Sequence, residues 1–172
     1  MIFVRFCFFV LFLFESKNYF VYLSNYFGLP EVGNFWESIV ELNDWHQHRI
    51  SKLIVKKLFG TISGKKIAIL GLAFMANTND TRESDAITIC KDLLDEGAEL
   101  FINDPKVKPE QISKDLQLSP KSQKQNIEEL EIYQEGNWNI ANNIEDAIRG
   151  ADAVLILTEW LEYSDLDWEN YT

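Results

Sequence analysis

Cysteine, positive charge and long apolar runs are all scarce in this 172-residue sequence, and each scarcity excludes something. The two cysteines, Cys7 and Cys90, lie far apart. They form no disulfide framework, and no Cys/His spacing suits zinc. Sixteen Lys and Arg face 27 Asp and Glu, a net charge of −11, so a nucleic acid or an anionic membrane surface would be repelled. At this length one domain with a sizeable core plus an extra element fits, but two full domains do not. What is abundant is apolar side chain: 47% of all residues are hydrophobic and 13% of all residues are aromatic, the composition of a folded globular chain.

The single apolar run, MIFVRFCFFVLFLF at residues 1–14, would span about 21 Å as a helix. That falls short of the roughly 30 Å hydrocarbon core. It resembles a secretory h-region, yet no small-residue cleavage site follows, only Glu15-Ser16-Lys17. Three readings stay open: a signal or anchor, the buried start of a helix, or translated T-rich non-coding DNA at a wrongly drawn gene start. Residues 1–16 are therefore set apart as an unmatched segment.

Leu29-Pro30-Glu31 opens a helix, with a proline and an acid placed for its first turn. Apolar residues recur at gaps of three and four from Val32 to Leu58, Lys56 and Lys57 fall in the last turn, and Gly60 supplies the stop. A helix of nearly thirty residues more often crosses an interface or links domains than sits inside a small one. His46 and His48, two apart, point to different sides and make a poor metal pair, so a solvated face is expected. Beyond it, the pattern reads strand (Ile67 to Leu70), helix (Arg82 to Glu96, with a D-x-x-E capping box of Asp80 and Glu83), strand (Glu99 to Asn103), a polar insertion over 106–137 with one short helix, a helix (Ile144 to Arg149), and a strand (Ala153 to Leu157). In the first helix of this series Cys90 reads as a small buried apolar residue. This alternation predicts an α/β fold: a Rossmann-like parallel sheet flanked by helices, preceded by one long linking helix. No strand follows the last helix, which would leave the sheet a bare edge.

Chemistry concentrates at Lys65–Ser84, KKIAILGLAFMANTNDTRES. A strand that delivers its chain through a loop into a helix N-terminus is where α/β proteins bind phosphorylated ligands. The glycines a dinucleotide needs are mostly missing: Gly71 is present, but Ala73 and Ala76 stand at the next two positions. The acid after the second strand, Asp104, comes well beyond the roughly 20 residues expected of a ribose ligand. The dinucleotide signal is therefore weak and a full NAD site is not expected here, while the loop still suits another phosphorylated ligand. Arg82 is a candidate cation beside a helix N-terminus, or else the partner of Glu83 or Asp85. Phe74 is a candidate stacking surface for a base, or else a packing anchor.

GLPEV (28–32), Asn34-Phe35-Trp36 and Glu41-Leu42-Asn43-Asp44 resemble the central helix of the UDP-glucose 6-dehydrogenase family. KKIAILGLAF, NDTRES, LLDEGAEL, INDPKV and GADAVLILTEW resemble its C-terminal UDP-sugar-binding domain. The resemblance runs from about Tyr19 to Thr172, in the family's order, and TRES with TEW points to the UDP-glucose branch. It implies residues 17–60 as a linking and dimerisation region and 61–172 as the nucleotide-sugar domain, truncated at its end. It further implies NAD-dependent oxidation of UDP-glucose to UDP-glucuronate through two hydride transfers and a cysteine thioester. NAD would be held mainly by an N-terminal domain that this sequence lacks. Carried over by motif, Phe74 borders the substrate and Arg82 reaches the cofactor; a homo-oligomer forms through the long helix, in the cytoplasm.

The sequence departs from that family in three places. The nucleophilic Cys of a Gly-Gly-Ser-Cys-Phe context falls at Phe12, and Cys7 has neither its register nor a base to activate it. No catalytic residue is therefore assigned, and no metal site. Met75 and Ala76 follow Phe74 where the family carries Lys, and a thioether does not replace a cation. A final strand and a substrate-binding Arg are absent. Two other expectations compete with a dehydrogenase portion: a non-catalytic module that binds a nucleotide sugar or pairs with intact subunits, and a chain too truncated to fold stably.

Overall fold

The computed structural model describes residues 2–5, 17–82, 84–121 and 133–166. Five strands, β1 (Ile2–Arg5), β2 (Lys66–Leu70), β3 (Glu99–Asn103), β4 (Trp138–Ile140) and β5 (Ala153–Ile156), form one parallel sheet in the order β1-β5-β2-β3-β4. The helices are α1 (Lys17–Tyr26), α2 (Pro30–Lys57), α3 (Asp85–Asp95), α4 (Pro109–Leu116), α5 (Ile144–Ile148) and α6 (Leu161–Ser164). The predicted α/β architecture with a long preceding helix is present.

Sequence chemistry explains the central strands. The apolar run of β2 is fully buried from Ile67 to Leu70, and so are all four residues of β5, as a parallel strand covered on both faces requires. The chain steps outward from β2 through α3 to β3 and through α4 to β4, then reverses through α5 to β5 on the other side of β2. With right-handed crossovers, α3 and α4 share one face of the sheet and α5 covers the other. The reversal makes the carboxyl ends of β2 and β5 the point where strand order switches, the position at which open α/β sheets open a crevice.

Three expectations need correction. The sheet edge beyond β5 is not bare: Ile2–Arg5 pairs with Ala153–Ile156 in parallel. The opening of the apolar run is thus a strand, not a helix start, because Ile, Phe and Val satisfy an open edge as well as a helix face. Residues 6–16, with Cys7 and Phe12, lie outside the described residues. The 106–137 stretch carries, besides the expected short helix α4, a run into β4, whose Trp138 is buried and donates its indole N–H to the Leu118 carbonyl at 3.2 Å. Three residues are too short to show a period, so this strand has no signature in the sequence. Residues 122–132 of this stretch lie outside the described residues. Finally, α3 starts at Asp85 with Ser84 as its N-cap residue, three residues after the expected Arg82, and Asp80 caps nothing.

The long helix divides into two halves. From Ile50 onward its apolar residues Ile50 and Ile54 enter the core, joined by Leu58 just past its end. Earlier ones, Val32, Phe35, Leu42 and Trp45, are exposed, as are Tyr19, Tyr22 and Tyr26 on α1. Between the halves the α2–α3 seam is polar. Gln47 donates to Asp85, while His48 and Ser51 both meet Asp92, at 2.8 and 2.6 Å. His48 is therefore a seam residue rather than part of a purely solvated face. Cys90 is buried in α3 as expected, and burial pushes its thiol pKa well up, leaving it inert.

Ile54 has no exposed surface, so Ile54→Ala is expected to lower stability by about 2–5 kcal/mol, measured from urea unfolding curves. A loss under about 1 kcal/mol would mean that the second half of α2 is not part of the core.

Candidate functional site at the carboxyl end of the sheet

Gly71 leaves β2 with φ +90°, a conformation an L side chain rarely adopts, and a Cβ there would lie 2.5 Å from the Cβ of Thr158. Glycine is needed at this turn for close approach to the β5 loop as well as for its backbone angle. Thr158, buried in the Thr-Glu-Trp that follows β5, donates its hydroxyl to the Ala73 carbonyl at 2.7 Å. The two loops at the switch point are thus in direct contact.

The β2 loop has its own closure. The Phe74 N–H donates to the Asp80 carbonyl at 2.7 Å, Asn77 takes φ +68°, and the Asp80 N–H meets the Thr78 hydroxyl at 3.0 Å. Two side chains brace it from outside. Lys106 Nζ donates to the Asn77 carbonyl at 3.3 Å, and Gln111 of α4 reaches the Thr81 hydroxyl at 3.3 Å. Phe74 is half-buried, Met75 exposed and Ala76 half-buried.

Arg82 stands at the end of the loop with its side chain 77% exposed, forked onto the Asp80 carboxylate by Nε at 3.0 Å and Nη2 at 2.7 Å. Its carboxylate partner in the described structure is Asp80. Glu83 lies outside the described residues, and Asp85 is engaged by Gln47. The Arg82 guanidinium and backbone N–H, both donating to Asp80, hold that carboxyl well below the usual range, at about 2. The pair is surface-exposed and contributes little to stability, but it fixes the direction of the guanidinium. The structure thus places Phe74 and Arg82 on one loop, near its start and at its end, and both engage Asp80: Phe74 donates its N–H to the Asp80 carbonyl and Arg82 donates to the Asp80 carboxylate.

The residue that sequence reasoning misses is Asp104. Weighed as a ribose ligand it has the wrong spacing; in the structure it turns back on its own chain. Its Oδ2 accepts from the Leu72 and Ala73 N–H groups at 2.7 and 3.1 Å, and its Oδ1 from the Lys106 and Val107 N–H groups at 2.9 Å each. The signal available was the Asp-Pro step directly after β3, a turn-forming acid. Tyr163, buried under this arrangement, donates its hydroxyl to the Asn103 carbonyl at 3.0 Å. Burial, with the Asp104 and Glu162 charges, raises its pKa so that it stays a donor. Among the described residues no group of three or more His, Cys, Asp or Glu is placed to hold a metal ion.

A dinucleotide pyrophosphate does not fit this loop. Of the three close-approach positions only Gly71 is glycine, and the amides of Leu72 and Ala73 are already taken by Asp104.

The sequence model of the UDP-glucose/GDP-mannose dehydrogenase family, UDP binding domain, matches residues 68–172, which begins inside β2 and takes in the whole switch point. The chain belongs to this family. Its similarity to family members extends beyond that domain. The UDP-glucose 6-dehydrogenase of Drosophila melanogaster is 42% identical over 154 residues, and that of Arabidopsis thaliana (UDP-glucose 6-dehydrogenase 1) 38% over 152. The Pongo abelii enzyme is 43% identical over 149. Each alignment takes in 87% of this chain but only 29–32% of the relative, so the chain spans about three-tenths of the length of the curated relatives it matches. A UDP-glucose dehydrogenase structure from Pyrobaculum islandicum superposes on 90% of the chain, and 31% of its own, with a TM-score of 0.70 at 22% identity. At that identity the likeness supports the fold.

If Arg82 holds the Asp80 carboxyl near 2, Arg82→Gln is expected to return its midpoint towards the ordinary value of about 3.9. An NMR titration of the Asp80 carboxyl carbon reads both. Because the folded pKa is depressed, whatever the contact contributes is present above about 3.9 and lost as pH falls through about 2. An unchanged midpoint in the variant would refute the assignment.

Proposed function

We propose that this chain is the linking helix and UDP-sugar-binding portion of a UDP-glucose 6-dehydrogenase, which oxidises UDP-glucose to UDP-glucuronate with NAD as the hydride acceptor. Residues 17–60 serve as the linking region, 61–172 as the nucleotide-sugar domain, and the cytoplasm is the compartment. The observation that carries this reading is the family match over residues 68–172, which takes in the switch point, with the TRES and TEW segments on the two loops that meet there. In it, Phe74 presents its ring to the UDP moiety, and Arg82, directed by Asp80, offers a cation to NAD held by another domain. NAD itself supplies the hydride acceptor. This chain's residues bind and orient; none is assigned to the chemical step.

One observation favours a second reading, a nucleotide-sugar-binding or pairing module without turnover. Met75 stands where the family carries a Lys, and Phe12 where it carries the nucleophile. Both readings use the long helix for pairing, the first with a second copy of the chain and the second with intact subunits. Val32, Phe35, Leu42 and Trp45 form an exposed stripe on α2, extended by tyrosines on α1. An apolar surface that broad on a monomer marks an interaction site.

Calorimetry of the full chain is expected to show UDP-glucose binding, weakened about tenfold by Phe74→Ala if its ring stacks on the base. No heat with the parent chain would remove the reading. Mixed with UDP-glucose and NAD, the chain is expected to yield no NADH, and measurable absorbance growth would overturn that. In sedimentation the parent chain is expected as a dimer and Trp45→Glu as a monomer. A monomeric parent would reject the pairing surface.

A further inference from the structure

The four N–H groups around Asp104 form a cradle of the kind that α/β proteins present to a phosphate. Two come from the loop after β2, Leu72 and Ala73, and two from the turn after β3, Lys106 and Val107. In a phosphate-binding loop such amides stay open because the ligand supplies the anion. Here the chain supplies it. Both carboxylate oxygens are used, each by two donors, and Asp104 follows directly on β3, whose own Asn103 carbonyl accepts from Gly71 at 2.9 Å. The carboxylate thus closes the space that an incoming phosphate would need. It also welds the start of the β2 loop to the β3 turn, one residue before Phe74.

We infer that Asp104 is a built-in anion that plugs the amide cradle at the carboxyl ends of β2 and β3, beside the switch point, excludes ligand phosphate from it, and acts as the positioning residue for the loop that presents Phe74. The cradle and its plug stand on geometry alone; the effect on ligand binding rests on the proposed nucleotide-sugar function. A consequence is that the phosphates of any nucleotide sugar held here are bound by other donors than the Leu72 and Ala73 amides.

Hydrogen exchange of the full chain reads the plug without reference to activity. In the parent protein the Leu72, Ala73, Lys106 and Val107 amides are expected to be protected, and inorganic phosphate to leave their rates unchanged. In Asp104→Ala those amides are expected to exchange about tenfold faster or more, as loss of charge-assisted bonds implies. Formate, which restores a carboxylate beside the alanine methyl, is expected to return the protection. Phosphate that slows Leu72 and Ala73 exchange in the parent would show an open cradle and overturn the inference. So would an Asp104→Ala variant that keeps parental rates, or a folded one that formate does not rescue. Should Asp104→Ala fail to fold, Asp104→Asn keeps one carbonyl acceptor, and its loss of protection must be confined to one pair of amides; loss at neither pair refutes the plug. Calorimetry supplies the second arm: UDP-glucose affinity falls about tenfold in Asp104→Ala and recovers in formate. A parent chain that binds no UDP-glucose defeats the functional reading while leaving the exchange result intact. Parental affinity in the folded, unrescued variant defeats the positioning role alone.

Discussion

An ionised carboxylate accepting several backbone N–H groups is among the firmer polar contacts a protein makes, since each bond is charge-assisted. The carboxyl end of this sheet depends on one. Asp104 ties together two loops that would otherwise leave β2 and β3 independently, and the other contacts build outward from that tie. Thr158 donates to the carbonyl of Ala73, whose amide Asp104 holds, and Tyr163 donates to Asn103. Gly71 is the steric condition for the whole arrangement, because a Cβ would drive the β2 and β5 loops apart. The loop that carries Phe74 and Arg82 is therefore organised before any ligand arrives, which reduces the ordering cost of binding.

The long helix answers to a different constraint. Its second half is held by Ile50 and Ile54 and by the polar seam to α3, where Gln47, His48 and Ser51 each find a carboxylate. Such directional bonds set the register of α2 on the body, whereas apolar contacts alone would let it slide. The first half, with α1 folded against it through Phe20 stacked on Trp36, turns its remaining aromatics outward. One helix thus belongs to the core at one end and to a surface with no internal cover at the other. The seam links the two: Gln47 holds Asp85, the first residue of α3, three positions after Arg82.

How much of this was legible depended on whether the signal was local. The boundaries of α2 and β3 follow from proline, glycine and apolar spacing, so the expected and observed spans agree within a residue or two. The start of α3 does not, because the Asp80 carboxylate found a stronger donor in the Arg82 guanidinium than in the helix N-terminus. The residues of the loop could be named from sequence, but not their arrangement. Arg82 pairs with Asp80, a partner that the sequence reading does not name. Asp104 was weighed for a ligand and serves the backbone. Both outcomes turn on distances between segments that no linear spacing records. His48 illustrates the same limit, since its partner Asp92 lies on another helix.

The pairing of Ile2–Arg5 with β5 is the longest-range contact in the sheet, and chain entropy argues about when it can matter. Closing a loop between residues 2 and 153 costs more than any other strand pairing here, since the cost grows with the logarithm of loop length. Such a contact forms after the more local ones, not before. Strand β1 adds a parallel backbone ladder to the outer side of β5. An unpaired parallel edge next to a fully buried strand would be a template for other chains, so the value of β1 lies in covering that edge, whatever the apolar residues after it do. The expected bare edge was a sound inference from the order of elements; what it omitted is that any apolar, β-forming segment within reach of the chain can fill such a vacancy.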